Sequence, residues 1–452
     1  APVMLGSFVE EMFCGANTAF TMYTGLTQSA AELLLEFGTE EQKEKYVPKM
    51  LSGEWSGTMC LTEPHAGSDV GAASSGATRN EDGTYSVQGT KIFISGGDND
   101  LSENVIHLVL ARIEGAEKGT KGLSLFIVPR VRINEDGSLG ETNDVTVPSI
   151  EHKMGINGSA TCVMNFGDEG NCLGEVVGGI EHQGIRQMFH MMNAARIGVG
   201  IQGLAVAAAS NMSALEYARE RKQGAGVKSF KDANAPRVPI LQHPNIRRDL
   251  LEMKARVEGV RALVMKLSNH ADRLNATRGK DDTSEAYHKG QIDLLTPLVK
   301  AYGTDAAFEV SAKAIQVHGG HGYLRDYPVE QYCRDSKIFQ IYEGTNFIQS
   351  MDLVSRKLGQ AGGANTQAFL TDIQTFITEN KETPELKAGI EHLQAAHESV
   401  AASVMQLIGW FKGGKIEHIP LAAEEFLTIM SDLAVGWLLL DQASIALRKL
   451  PE

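Results

Sequence analysis

Long apolar runs are missing from this sequence: the longest uninterrupted one, residues 433–440, is eight residues long and ends at Asp441. A bilayer-crossing helix takes roughly 20 such residues, so no transmembrane span and a soluble protein are expected. Basic residues are in deficit, with 42 Lys and Arg against 56 Asp and Glu and a net charge of −14. That balance, without a local basic patch, speaks against a grip on nucleic-acid backbone. Cysteine is sparse and scattered: Cys14, Cys60, Cys162, Cys172 and Cys333 contain no Cys-x-x-Cys pair. Neither a zinc knuckle nor a disulfide framework is supported, and a reducing interior fits. No basic-then-apolar leader stands at Ala1. Residues 4–13 already read as an amphipathic helix with no preceding cap, so residues upstream of Ala1 are expected to be missing.

What is present is an ordinary globular mixture of 42% hydrophobic and 22% charged residues in 452 positions, enough for two to four domains of ~150 residues. Residues 1–55 are helical by pattern. Residues 30–37 put apolar side chains on one face, Gly38 ends that helix, and Thr39 with Gln42 three positions on forms a capping-box pair for the next. From about Trp55 the texture changes to short β-like runs at 85–87, 91–95, 105–113, 123–131 and 160–166, separated by turns such as Glu81-Asp-Gly and Asn134-Glu-Asp-Gly. Strands with no helices between them predict an antiparallel β domain. Long helices return at 187–222, 243–274, 291–317 and 346–357. Residues 359–365 read as a flexible link, and three or four helices follow over 366–450, broken at Gly413-Gly414 and restarted at Pro420. The expected fold is α+β: an N-terminal helical domain (1–55, its end), a β domain (56–185), a C-terminal helical bundle (186–358) and an additional helical domain (359–452).

Several segments carry chemistry. Gly198-Val-Gly-Ile-Gln-Gly203 matches the dinucleotide fingerprint G-x-G-x-x-G, with Glu216 or Glu220 downstream. The fingerprint needs a strand before its first glycine. Residues 187–196 hold no β-branched side chain and are rich in Met, Ala, Gln and Arg, so a helix running through closely packed glycines is expected instead. Thr62-Glu-Pro-His-Ala-Gly-Ser-Asp69 is bent by Pro64 and Gly67, exposing backbone N–H groups beside two hydroxyls, a set suited to carbonyl or phosphate oxygens or simply to a capped surface turn. Phe93 and Ser95, two apart on one side of a strand, offer an aromatic plane beside a hydroxyl; taken alone, Phe93 reads as core. Gln316-Val-His-Gly-Gly-His-Gly-Tyr323 tempts a metal assignment at His318 and His321, but no third ligand stands near and the glycines favour close backbone approach. Glu343 follows an apolar aromatic run and precedes Gly344 at a helix start, where a carboxylate is either favoured by the helix dipole or a functional base.

Taken together, Leu61-Thr-Glu-Pro-x-Ala-Gly-Ser-Asp69, Gly89-Thr-Lys-Ile-Phe-Ile-Ser95, Arg196, Arg221-Lys222, Gln316-Val-His-Gly-Gly-His-Gly-Tyr323 and Ile341-Tyr-Glu-Gly-Thr345 follow one another as in the acyl-CoA dehydrogenases. The chain resembles that family from about residue 1 to 358. Its tail, with Met59-Cys-Leu-Thr-Glu-Pro-His and Glu151-His-Lys-Met-Gly-Ile156, resembles the larger branch holding 3-methylmercaptopropionyl-CoA and long-chain acyl-CoA dehydrogenases. The resemblance implies FAD as cofactor, held by Met59, Leu61, Thr62, Ser68, Phe93, Ile94, Ser95, Arg221, Gln316, Gly319, Gly320, Thr345 and Phe347, partly across a subunit interface. It implies acyl-CoA contacts from Ser68, Ser159, Asn193, Arg196, Tyr342 and Gly344, with Gly25 lining the acyl end, and no metal. Phe93 stands where the family usually has Trp, Phe347 where it has a polar residue, Asn193 where many members have Asp, and Gln223 where Thr is commoner.

The implied reaction is dehydrogenation of an acyl-CoA to a trans-2-enoyl-CoA. Glu343 removes the α-proton, the thioester oxygen accepts hydrogen bonds from a flavin ribityl hydroxyl and the Glu343 N–H, and hydride passes to flavin N5. Electrons then pass to electron-transferring flavoprotein. The implied setting is a homodimer or dimer of dimers in a bacterial cytoplasm or a mitochondrial matrix. An acyl-CoA oxidase using oxygen is a rival within the family. A flavin-bearing DNA-binding relative is a rival from another class, opposed by the −14 charge.

Overall fold

The computed structural model describes residues 2–449; position 1 of the first expected domain and positions 450–452 of the last lie outside the described residues. The chain forms two compact units, one of Asn17–Ala195 and one of the residues up to Ala16 together with those from Arg196 onward.

Helix α1 (Val3–Phe37) is broken at Asn17, whose φ of −157° and ψ of 88° are not helical. Asn17 Oδ1 accepts from the Phe20 N–H at 3.0 Å, capping the second stretch. Gly38 ends that stretch by donating to the Leu34 carbonyl at 2.8 Å. Helix α2 (Glu40–Ser52) opens with the expected capping box, in which the Gln42 N–H donates to Thr39 Oγ1 at 3.2 Å and the Thr39 N–H donates to Gln42 Oε1 at 3.1 Å.

Ten strands follow: β1 (Trp55–Cys60), β2 (Gly76–Arg79), β3 (Tyr85–Ser95), β4 (Asn104–Ile113), β5 (Leu123–Pro129), β6 (Val131–Ile133), β7 (Leu139–Thr142), β8 (Val145–Ile150), β9 (Thr161–Phe166) and β10 (Leu173–Val176). Eight of them make one sheet in the order β1-β4-β5-β10-β3-β9-β8, with β2 beside β3 and β4. Most pairs are antiparallel, but β1 and β2 both run parallel to β4. The runs at 85–87 and 91–95 are one strand, β3. Strands β1, β2, β7, β8 and β10 escape sequence reading because they are short and Gly, Ser or Pro interrupts the apolar alternation that marks a strand.

The continuous apolar run of β4 is explained by burial on both faces. Ile106, Leu108 and Leu110 meet Ala30, Leu33, Leu34, Tyr46 and Trp55. Val109, Ala111 and Ile113 turn to the opposite core, with Val87, Cys162, Met164 and Phe166. Period-two alternation thus sorts one strand between two cores, and each fully buried Leu or Ile contributes about 1.5–3 kcal/mol.

Helix α3 (Gly184–Glu220) runs through all three glycines of the apparent fingerprint. A Cβ on Gly200 would lie 2.4 Å from Val299 Cγ1, and one on Gly203 would lie 2.6 Å from the Gly303 carbonyl oxygen. The glycines therefore permit helix–helix contact and bind no nucleotide in the Rossmann manner. By length and composition this helix passes as a candidate membrane span, yet 61% of its apolar window is buried, as in a core helix.

A small ribbon, β11 (Lys222–Ala225) with β12 (Arg237–Pro239), leads to α4 (Pro244–Thr277), α5 (Asp282–His318), α6 (Val329–Ser336) and α7 (Asn346–Asp352). Where a flexible link is expected at 359–365 there is a short 3₁₀ turn. Ala361, Gly362 and Gly363 adopt positive φ there, and α8 (Ala364–Asn380) starts at once. Helices α9 (Lys387–Lys412) and α10 (His418–Lys449) complete the tail, the last beginning two residues before Pro420. Phe369, Ile373, Leu427, Met430 and Trp437 of the tail join the same core as Leu263, Leu267 and Leu298 of α4 and α5.

Candidate active site

Glu343 sits on a turn between the 3₁₀ segment Lys337–Gln340 and α7. Its φ is +56°, followed by +79° at Gly344. A left-handed, non-glycine residue here stores backbone strain of the order of 1–3 kcal/mol, a pattern that clusters at functional sites. Three groups hold the turn. Thr345 caps α7 by accepting from the Ile348 N–H at 3.2 Å. Gln349 Nε2 donates to the Glu343 and Gly344 carbonyls, both at 3.3 Å. Gly344 leaves room for this amide, since a Cβ there would lie 2.9 Å from Gln349 Nε2 and 3.6 Å from Arg196 Nη2.

The carboxylate itself is enclosed, and its Oε2 has no hydrogen-bond partner. Burial raises its pKa to about 7, against the opposing pull of the Arg196 and Lys300 charges. Arg196, 3% exposed, faces Asp352 at 3.7 Å. Tyr342 donates its hydroxyl hydrogen to Gln202 Oε1 and stacks on Phe339 with ring centroids 6.0 Å apart. Phe347 is 40% exposed at the start of α7. Chemically, such a group is able to take up a proton near neutral pH: its Oε2 is committed to nothing in the chain.

In the Asn17–Ala195 unit, the residue 62–69 loop and β3 are locked together by a buried ion pair. Glu63 Oε1 meets Lys91 Nζ at 2.8 Å, with the two side chains 1% and 0% exposed. Lys91 Nζ also donates to the Leu110 carbonyl at 2.7 Å and the Leu61 carbonyl at 3.2 Å. Glu63 accepts from the Ser74 N–H and hydroxyl and from the Ser75 N–H, at 2.7, 2.8 and 3.0 Å. The Ile92 N–H donates to the Thr62 carbonyl at 2.9 Å. Leu61, Thr62, Ser68, Phe93 and Ser95 are thereby carried on two segments fixed to each other.

Phe93 is not core: it is 60% exposed, with φ of +60°. The β3–β9 register slips between Lys91 and Ile94, and this bulge turns the aromatic outward, leaving Ile94 buried and Ser95 half-buried. Ser68 is exposed and Met59 half-buried. Ser159 is only 2% exposed, with its hydroxyl enclosed and unpartnered, and Asn193 lies half-buried on α3.

In the histidine–glycine segment 316–323 both histidine Nδ1 atoms are engaged within the chain. His318 Nδ1 bonds to the Ala314 carbonyl at 2.8 Å, and His321 Nδ1 bonds to the Tyr217 hydroxyl at 2.8 Å. Tyr217 stacks on His318 at 4.3 Å, and Tyr327 stacks on His321 at 5.3 Å. This cluster sets the end of α3, with Arg221 one turn past Tyr217, beside the exposed Gln316 in the last turn of α5 and the exposed Gly319 and Gly320 that follow it. A Cβ at Gly319 or Gly320 would meet nothing of the chain within 4 Å. Close approach at these two positions is therefore available only to something outside the chain. Gly322 is needed internally, since a Cβ there would lie 2.6 Å from the Ile315 carbonyl oxygen, and Gly319 is needed for its φ of +60° at the end of α5.

Sequence reasoning missed the Glu63–Lys91 pair, although both residues lie inside the quoted motifs, and it missed Lys300, Asp305 and Asn346. The available signal for Lys300 is a single cation inside the apolar stretch Leu294-Leu-Thr-Pro-Leu-Val-Lys300.

Comparison with known proteins accounts for this layout. The families described as acyl-CoA dehydrogenase N-terminal, middle and C-terminal domains match residues 2–54, 58–168 and 182–358, and an acetyl-CoA dehydrogenase C-terminal-like family matches 369–452. A butyryl-CoA dehydrogenase of Syntrophomonas wolfei is 40% identical over 98% of this chain and 72% of its own length. The 3-methylmercaptopropionyl-CoA dehydrogenase of Ruegeria pomeroyi is 39% identical over 96% of this chain and 72% of its own length. The crystal structure of a Bacillus anthracis acyl-CoA dehydrogenase complexed with FAD shares the fold, with a TM-score of 0.77 at 23% identity over 98% of this chain and 72% of that one. The chain belongs to the acyl-CoA dehydrogenase family.

Proposed function

We propose that this protein oxidises an acyl-CoA thioester across Cα–Cβ to a trans-2-enoyl-CoA, with Glu343 removing the α-proton. The observation that carries this reading is the Glu343 carboxylate: enclosed, raised to about 7 by burial, and with Oε2 left without a partner on a left-handed turn. A thioester α-proton is weakly acidic, so its removal needs a base of raised pKa and water excluded from the reacting atoms. Tyr342 and Gly344 flank that base, and Arg196 supplies a buried positive charge facing it. The Glu343 N–H is assigned to the thioester oxygen, where charge develops.

The cofactor is FAD. When bound, it supplies the two-electron acceptance that a carboxylate cannot. The residues present fit it: an outward aromatic at Phe93 beside Ser95, the residue 59–68 loop with Met59, Leu61, Thr62 and Ser68, and Thr345 with Phe347 near the base. Gly319 and Gly320 are open to an outside group, next to Gln316 and the exposed Arg221. Phe93→Ala should weaken FAD retention by about 0.5–1.5 kcal/mol, the worth of an aromatic contact beyond its area; FAD release followed by flavin fluorescence measures it.

Ser68, Ser159, Asn193 and Arg196 are assigned to acyl-CoA, and the domain division 1–55, 56–185, 186–358 and 359–452 is retained as a functional one. Butyryl-CoA and 3-methylmercaptopropionyl-CoA, after which the two relatives are named, define the substrate range to examine, together with longer acyl chains. Electron-transferring flavoprotein is assigned as the acceptor, a homodimer or dimer of dimers as the working assembly, and a bacterial cytoplasm as its setting. The holoprotein should carry one FAD per chain and dehydrogenate at least one member of an acyl-CoA panel faster with electron-transferring flavoprotein than with oxygen. A protein that takes up no FAD on reconstitution, or turns over no acyl-CoA, contradicts the reading.

A further inference from the structure

Asn346 follows Glu343 by three residues, and its side-chain amide is fully engaged. Its Oδ1 accepts from Lys300 Nζ at 2.9 Å, while its Nδ2 donates to Asp305 Oδ1 at 2.8 Å and to the Ala301 carbonyl at 3.2 Å. Its orientation is fixed by chemistry, because an ammonium only donates and a carboxylate only accepts. Gln340, on the other side of the turn, donates through Nε2 to the same Asp305 oxygen at 2.6 Å. The segment bearing Glu343 is thus tied to α5 both before and after the base.

Lys300 is the anomalous member. It is 0% exposed, its hydrogen bond to Asn346 is its sole one among the described residues, and no carboxylate oxygen lies within ion-pair distance. A buried ammonium normally has close anionic partners and several acceptors, since desolvation is costly. A methionine of similar length would fill the space at less cost if packing were the whole role. The charged groups facing Lys300 are the Glu343 and Asp305 carboxylates and the Arg196 guanidinium. Burial brings the ammonium down to about 7, and the two carboxylates oppose that fall.

We propose that Lys300 is a positioning residue for Glu343: through Asn346 it clamps the left-handed turn, and its charge sets the environment of the carboxylate. The proposal rests on the reading of Glu343 as the base.

The test uses the FAD-loaded enzyme and its Lys300→Met, Asn346→Ala and Glu343→Gln variants. Anaerobic flavin reduction by a good acyl-CoA is followed against pH, and the Glu343 carboxyl band is titrated by infrared difference spectroscopy against Glu343→Gln. Lys300→Met should keep FAD and bind acyl-CoA within about threefold of wild type while reduction slows ~10–100-fold, the scale of a misplaced catalytic group. Its carboxyl titration midpoint should rise by at least ~0.5 unit, because a nearby cation favours the charged carboxylate. Asn346→Ala, which leaves the ammonium in place, should slow reduction similarly with a smaller midpoint change, and it decides the matter if Lys300→Met fails to fold. Unchanged reduction in Asn346→Ala, or an unshifted midpoint with a wild-type rate in Lys300→Met, overturns the proposal. If Glu343→Gln still reduces flavin at the wild-type rate, the base assignment itself has failed; if it does not while the Lys300 and Asn346 variants behave as wild type, only the positioning role has failed.

Discussion

Lys91→Met should lower stability by about 3–5 kcal/mol at neutral pH, the range for breaking a buried ion pair from one side. The change leaves Glu63 enclosed and charged with only the Ser74 and Ser75 donors. It also leaves the Leu61 and Leu110 carbonyls without their ammonium donor. Burial alone would raise the Glu63 pKa, but the Lys91 charge and the hydrogen bonds outweigh it and hold the carboxyl at about 2. A depressed carboxylate contributes stability that is present above its unfolded pKa of ~4.3 and is lost as the pH falls through its folded value. The Glu63 contribution to wild-type stability should therefore be full at pH 6–7 and be lost between pH ~4.3 and about 2, whereas in Lys91→Met, where burial acts without the ammonium, the carboxyl takes up its proton at higher pH and that acid loss is absent. Denaturant unfolding across that range measures it, and a double change, Glu63→Leu with Lys91→Met, should recover part of the loss because no charge remains buried. A neutral-pH loss below about 1 kcal/mol would mean that the pair is not what ties the loop to β3.

How far the sequence alone reveals this molecule depends on whether a feature is local. The Thr39–Gln42 capping box is legible because both partners lie within one helical turn. The helix through Gly198, Gly200 and Gly203 is legible because the residues before it lack strand character, even though Val299 and Gly303, which make the glycines necessary, are a hundred positions away. The fold of the β domain is legible in kind but not in detail: several strands are found, while the parallel placement of β1 on β4 depends on pairing across forty-odd residues. Phe93 shows the limit more sharply. Taken alone it reads as core, but a bulge against β9 takes it out of the strand's alternation and exposes it. For the proposed site, motif order singled out Glu343 and the loop residues proposed to hold the flavin. The partners that shape them, Lys91 for the loop and Lys300 with Asn346 for the base, come from distant segments and carry no periodic signature.

Glu343→Gln should nearly abolish flavin reduction while leaving FAD and acyl-CoA bound. Glutamine keeps the size and one hydrogen-bonding oxygen of glutamate but has no basic oxygen to take the α-proton. Removing a general base costs ~10²–10⁴ in rate, and a loss confined to the reductive step marks an interaction made in the transition state. If the carboxylate served only as a helix-start charge, its loss would cost about 0.3–1 kcal/mol of stability and leave turnover untouched. The pH dependence gives a second signature. The Glu343 carboxyl is raised to about 7, and only its deprotonated form acts as a base, so wild-type reduction should rise with pH through that region. The residual rate of Glu343→Gln should be flat there. The most direct measurement is anaerobic stopped-flow mixing of each FAD-loaded protein with butyryl-CoA, or the best substrate of the acyl-CoA panel, following loss of flavin absorbance: the account predicts rapid bleaching in wild type and bleaching slowed at least ~10²-fold in Glu343→Gln, whereas equal rates would contradict it.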